Sequence, residues 1–174
     1  MQNNDQLEVW LRGPLPGIPD LLQPVAHALL QAREELGIFT NTFPSRLLWE
    51  KPANVASVGF HLQHLAGVLD RLFTYAREES LSESQMAFLK SEGQEPTEDC
   101  TYNHLLDQFS NQLERALKQL SDTNPDTLTE IRYVGRAMMP STHLGLLFHA
   151  AEHTQRHVGQ LLVTARILIT NHAN

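Results

Sequence analysis

Residues 148–157 read Phe148-His149-Ala150-Ala151-Glu152-His153-Thr154-Gln155-Arg156-His157, with a histidine at every fourth position. Residues four apart share one face of a helix, one turn apart. The surrounding apolar residues Leu144, Leu147, Val158, Leu161, Leu162, Ala165 and Ile169 keep the same rhythm. The stretch therefore reads as part of one long helix, opened by Pro140-Ser141-Thr142 and running to about Ile169. At about 100° per residue, with Leu144 at zero, these residues plus Phe148 and Ala151 form a wide apolar arc. Glu152, Arg156 and Arg166 fall at roughly 40–120°, and His149, His153 and His157 at ~140°, ~180° and ~220°. His157 borders the apolar arc and His149 lies nearest the charged edge, so the wheel favours His153 and His157 as the pair lining a cleft.

Working outward, three more helical periods precede this one. Leu21, Leu22, Val25, Leu29, Leu30, Ala32, Leu36 and Phe39 recur at three- and four-residue steps from Pro19, and Pro44 limits that helix. After the connector Trp49-Glu50-Lys51-Pro52, Ser57 is the expected N-cap of a second helix reaching about Glu79. Ser82 and Gln85 have capping-box spacing for a short accessory helix, ended by Gly93 and Pro96. A third helix is expected from near Thr101, carrying Leu105, Leu106, Phe109, Leu113, Leu117 and Leu120, and stopping at Asn124-Pro125-Asp126. Residues 122–140 form a long connection whose middle, Leu128 to Val134, suits a short extended piece. No strand pattern is strong enough to build a sheet. The expectation is all-α: one four-helix bundle over residues 19–170, with an irregular lead-in over 1–18.

A chain of 174 residues suits one domain, and its 41% hydrophobic and 19% charged residues are ordinary for a globular protein. The formal charge of −7, with 13 scattered Lys and Arg, argues against nucleic acid or an anionic membrane as partner. No apolar run approaches the roughly 18–20 residues of a membrane span. The polar start Met1-Gln2-Asn3-Asn4-Asp5 has no signal-like pattern, so a cytoplasmic location is expected. The single Cys100 follows Glu95, Glu98 and Asp99, which would raise its pKa, and it reads as a bystander.

The unusual feature is nine histidines, five of them in two short stretches. Two imidazoles four residues apart can converge on one ion, since the helix preorganises half of the coordination sphere. The motif is not that of the zinc proteases, which need a Glu directly after the first His; Thr154 stands there. The second stretch is Phe60-His61-Leu62-Gln63-His64. His61 falls inside the apolar stripe of Leu65, Val68, Leu69 and Leu72, and His64 at its edge. Either could supply a third ligand by spacing alone.

Two segments resemble the DinB/YfiT-like superfamily of four-helix-bundle metal proteins. One is Ser57-Val58-Gly59-Phe60-His61-Leu62-Gln63-His64-Leu65-Ala66, and the other is Glu152-His153-Thr154-Gln155-Arg156-His157-Val158-Gly159-Gln160. The resemblance implies one divalent metal ion on His64, His153 and His157, with His61 and His149 as second choices. Imidazole ligands suit zinc or nickel first, then iron, manganese or copper. Glu152 and Gln160 are candidate acceptors for the ligands' free N–H groups. The implied activity is a metal-dependent hydrolase, or a transferase using a low-molecular-weight thiol on a small-molecule substrate. The alternative is a non-catalytic, metal-stabilised binding or stress-response module. A homodimer also fits the bundle class. Arg71, seven residues after His64, is a candidate for a substrate carboxylate or for a surface salt bridge. The ligand assignment predicts that His153→Ala or His157→Ala abolishes metal binding while His27→Ala does not. Elemental analysis of tag-free protein checks it, and equal metal content in all three variants would refute it.

Overall fold

Four of the five α-helices among the described residues start where a side chain satisfies backbone N–H groups that a first turn leaves unpaired. In the computed structural model, which describes residues 7–172, helix α1 spans Gln23–Gly37, with Pro24 in its first turn. Helix α2 spans Val58–Ala76, and the buried Ser57 hydroxyl accepts from Phe60 N. The short helix α3, Glu83–Ser91, begins with the expected Ser82–Gln85 capping box. Helix α4, Tyr102–Asp122, begins with a second box in which Thr101 pairs with His104. Helix α5, His143–His172, is the longest. Its first turn is capped by Thr142, whose Oγ1 accepts from Gly145 N.

The four long helices close a ring in the order α1, α5, α2, α4. Their apolar stripes meet in one core that includes Leu29, Leu36, Leu62, Leu69, Phe73, Phe109, Leu113, Leu147 and Leu161. Helix α2 is buried on nearly every side, because α4 and α5 flank it and α3 covers a further face. The Tyr102 hydroxyl donates to Leu36 O, tying the start of α4 to the end of α1. Gly59 lets α2 pass under the ring of Trp49, where any Cβ would collide. Residues 7–18 do more than lead in. They carry a 3-10 turn at Val9–Arg12, Val9 is buried, and Arg12 pairs with Glu34 of α1. The Met1–Asp5 segment lies outside the described residues. No helix among the described residues is long and apolar enough to cross a membrane.

Two expectations need correction. The connection before α5 holds a two-stranded antiparallel hairpin, β1 Ile131–Val134 and β2 Met139–Thr142. Pro140-Ser141-Thr142 is therefore strand that runs directly into the helix, Thr142 being both the last strand residue and the cap of the first helical turn. Pro140 is tolerated because a two-stranded ribbon has only edges, where a missing N–H costs little. The hairpin is anchored by Arg132, buried between strands and bundle, whose Nε donates to Ala76 O at the end of α2. The second correction concerns Phe148, placed in the apolar arc but 60% exposed. The buried face of α5 is rotated towards the histidines and includes Leu146, Ala150, Thr154 and Thr164. Alanine and threonine carry little apolar signal, yet their small size is what lets two helices approach closely. The neighbouring pair gives a test. Leu147→Ala, at a fully buried position, should cost about 2–5 kcal/mol. Phe148→Ala should stay within about 0.5 kcal/mol. Denaturant unfolding of both variants measures the difference, and equal losses would contradict the rotated face.

Candidate metal centre

Helices α2 and α5 pack against each other, and His61, His64, His153 and His157 lie in that seam. The structure brings His64, His153 and His157 together: one nitrogen from each ring lies within 4.8 Å of the other two. His64 Nε2 stands 2.9 Å from His153 Nε2. The His64 and His157 rings are 4.4 Å apart by centroid, and the His153 and His157 rings 4.6 Å. Two donors bound to one zinc at ~2.0–2.1 Å in a tetrahedron are about 3.4 Å apart, so small ring rotations would reach that geometry. His153 Nδ1 is buried with no hydrogen-bond partner among the described residues. The donor set thus suits a divalent cation.

The two alternative histidines are placed apart from this point. His61 is buried behind His157, their Nδ1 atoms 3.0 Å apart, so one of the two carries the shared proton. His149 is half exposed and its Nδ1 lies 3.4 Å from Glu152. The remaining histidines are engaged elsewhere. His27 faces Gly13 O, His104 belongs to the α4 capping box, His143 meets the Thr127 hydroxyl, and His172 meets Glu50.

The carboxylate against the cluster is one that sequence reading missed. Glu92, at the C-terminal cap of α3, places Oε2 2.7 Å from His64 Nδ1 and accepts from Arg71 through Oε1 at 2.6 Å. Arg71 is therefore a buried ion-pair partner and not a surface one. Of the two expected acceptors, Glu152 turns to Arg156 and His149, and Gln160 is exposed. The available signal was Arg71, a charge on the same face of the largely buried helix as His64, which requires a partner when buried. The ring of Phe60 stacks on His64, with centroids 5.3 Å apart and planes 11° from parallel, and shields one side. Cys100 is buried away from the three rings, and its thiol is pushed up first by burial and then by Glu95 and Asp99.

Burial lowers the pKa of His157 to about 4, helped by the crowding of further ionisable rings, His64 first and then His153 and His61, which disfavours a second positive charge. Burial also lowers His61 to about 4, with His64 adding to it, and lowers His153. All three are therefore neutral at pH 7, the form that ligates a metal. In the metal-free protein this has a sign. His61 and His157 titrate near 6.5 in the unfolded chain and near 4 in the folded one, so the unfolded chain binds protons first as pH falls. Stability from these groups is complete above about pH 6.5 and is lost as pH drops through 4. Unfolding of metal-free protein at a series of pH values should show this fall; a flat profile from 7 to 4 would contradict buried neutral rings.

An all-helical bundle with three convergent imidazoles at one helix seam defines a class of bundle proteins with a candidate metal centre. Within that class the chain belongs to the DinB superfamily, whose model matches residues 28–161. The solved structure of the conserved protein of locus from Enterococcus faecalis is 20% identical. The alignment covers 86% of this chain and 97% of that one, with a TM-score of 0.66, a likeness of fold alone. No curated protein matches in sequence.

Proposed function

We propose that this protein is a metal-dependent enzyme that holds one divalent ion, zinc or nickel, on His64, His153 and His157. Iron, manganese and copper also accept imidazole ligands. The observation that carries the reading is the convergence of three imidazole nitrogens from two helices within 4.8 Å. A structural zinc site normally has four protein ligands, whereas a catalytic one keeps a position open. Among the described residues only three histidines, and no fourth His, Cys, Asp or Glu, meet at this point. That count favours an open sphere.

A divalent ion on three neutral ligands keeps its full charge, and so supplies the Lewis acidity that lowers the pKa of water or a thiol near neutral pH. The reaction class is hydrolysis, or group transfer to or from a low-molecular-weight thiol, on a small-molecule substrate. The chain's own residues prepare the donors. Burial keeps His153 and His157 neutral. His61 shares a proton with His157, and Glu92 holds His64 at the nitrogen turned away from His153. Phe60 excludes water from one face of His64.

A second reading has its own support: the ligands come from α2 and α5, so an ion would staple the two helices in a non-catalytic binding or stress-response module. Metal stoichiometry and activity separate the two. Tag-free protein should carry about one equivalent of divalent metal per chain. The loaded protein should cleave ester or amide substrates or conjugate a small thiol, and lose that activity on chelation. Metal that raises thermal stability without any turnover would favour the staple, and protein that binds no metal would overturn both readings.

A further inference from the structure

Gln63, His64, Gly67 and Arg71 lie along one side of α2, and all four address the turn at residues 92–94 that ends α3. Gln63 Oε1 accepts from Gly93 N at 2.7 Å, and its Nε2 donates to Gln94 O at 3.0 Å. His64 and Arg71 take one oxygen each of Glu92. Gly67 completes the fit: a Cβ there would collide with Glu92 Oε1, Arg71 Nη1 and the Phe88 ring. Gly93 turns the chain at φ +87° directly over Phe60, the ring that stacks on His64.

The side chains of Arg71 and Glu92 are only 10% and 5% exposed. A buried ion pair is a poor stabiliser, because desolvation offsets the Coulomb gain and apolar residues of similar volume do as well or better. What a hydrophobic pair cannot do is hold a ring. A carboxylate paired with a guanidinium only accepts hydrogen bonds. In the neutral ring, the form that ligates a metal, the nitrogen facing it must then carry the proton, which leaves the other nitrogen its lone pair. At His64 the nitrogen facing Glu92 is Nδ1, and the free one is Nε2, which faces His153 Nε2. Ligand histidines in metal proteins commonly donate to such a carboxylate, which fixes tautomer and orientation.

We propose that Arg71 and Glu92 are positioning residues: together they lock His64 in the Nδ1–H tautomer with Nε2 aimed at His153 and His157, with Gly67 leaving the space they need. The metal consequence rests on the reading of His64 as a ligand; the tautomer does not.

The test uses the full chain. Long-range 1H–15N spectra of metal-free wild-type protein at pH 7.5 should show His64 as the Nδ1–H tautomer. The double variant Arg71→Met/Glu92→Leu removes the buried charges together, so its thermal stability should equal or exceed that of wild type. Its His64 should become a tautomer mixture, and its Kd for Zn(II), by competition with a chromophoric chelator, should weaken by about 10–100-fold. Gly67→Ala keeps both charged residues but displaces them, and should weaken Zn(II) in the same direction. A stable double variant with unchanged Kd and tautomer would overturn the proposal while leaving the metal site standing. A wild-type His64 in the Nε2–H form would overturn it whatever the variants do. Should the double variant not fold, the wild-type tautomer and Gly67→Ala decide. If wild-type protein binds no Zn(II), the proposed function fails and the tautomer alone decides this inference.

Discussion

Four imidazoles, those of His61, His64, His153 and His157, are packed ring against ring between α2 and α5, with centroids 4.4–5.2 Å apart. Such packing is tolerable only when no two neighbouring rings are charged together. Two unit charges at ~4 Å repel by about 4 kcal/mol at the effective dielectric near a protein surface. Burial provides the neutrality, since it is the largest cause of the depressed pKa at His61, His153 and His157. A neutral imidazole is also the form that donates a lone pair to a cation. The packing that the bundle needs and the donors that a metal needs are thus the same arrangement.

That arrangement depends on how closely α2 and α5 approach and on what stands behind the rings. Ala150, Ala151 and Thr154 on α5 and Ala66 on α2 are buried small residues. Behind His64 stands the turn after α3, clamped by Gln63 and carrying Glu92. The accessory helix α3, which buries no residue of its own among the core, thereby earns a place in the molecule. It delivers a carboxylate to the imidazole cluster, beside the Arg71 guanidinium. His61 plays the corresponding part behind His157.

Much of this was legible in the residues because local chemistry writes it there. Ser57 and Ser82 cap helices where their spacing said they would, and α4 begins beside Thr101 as expected. The stripe from Leu105 to Leu120 marks the buried face of α4. The His153–His157 spacing put those two rings on one face, and the DinB resemblance selected His64 over His61, the ring now found beside them. What was not legible depends on distant partners. Phe148 looks like core until it is found exposed while Ala150 and Thr154 are fully buried. Pro140 looks like a helix opener until β1 is found opposite it. Glu92 sits in an acidic, irregular stretch with Glu95, Glu98 and Asp99, and only the fold selects it as the partner of Arg71 and His64.

The central claim is that one cation is held by imidazoles from both helices. X-ray absorption at the zinc edge of the loaded, tag-free protein reads the donors directly, without mutation. The account predicts about three imidazole nitrogens at ~2.0–2.1 Å, with the multiple-scattering pattern of intact rings and a lighter donor filling any remaining position. A sphere with one imidazole or none would contradict it.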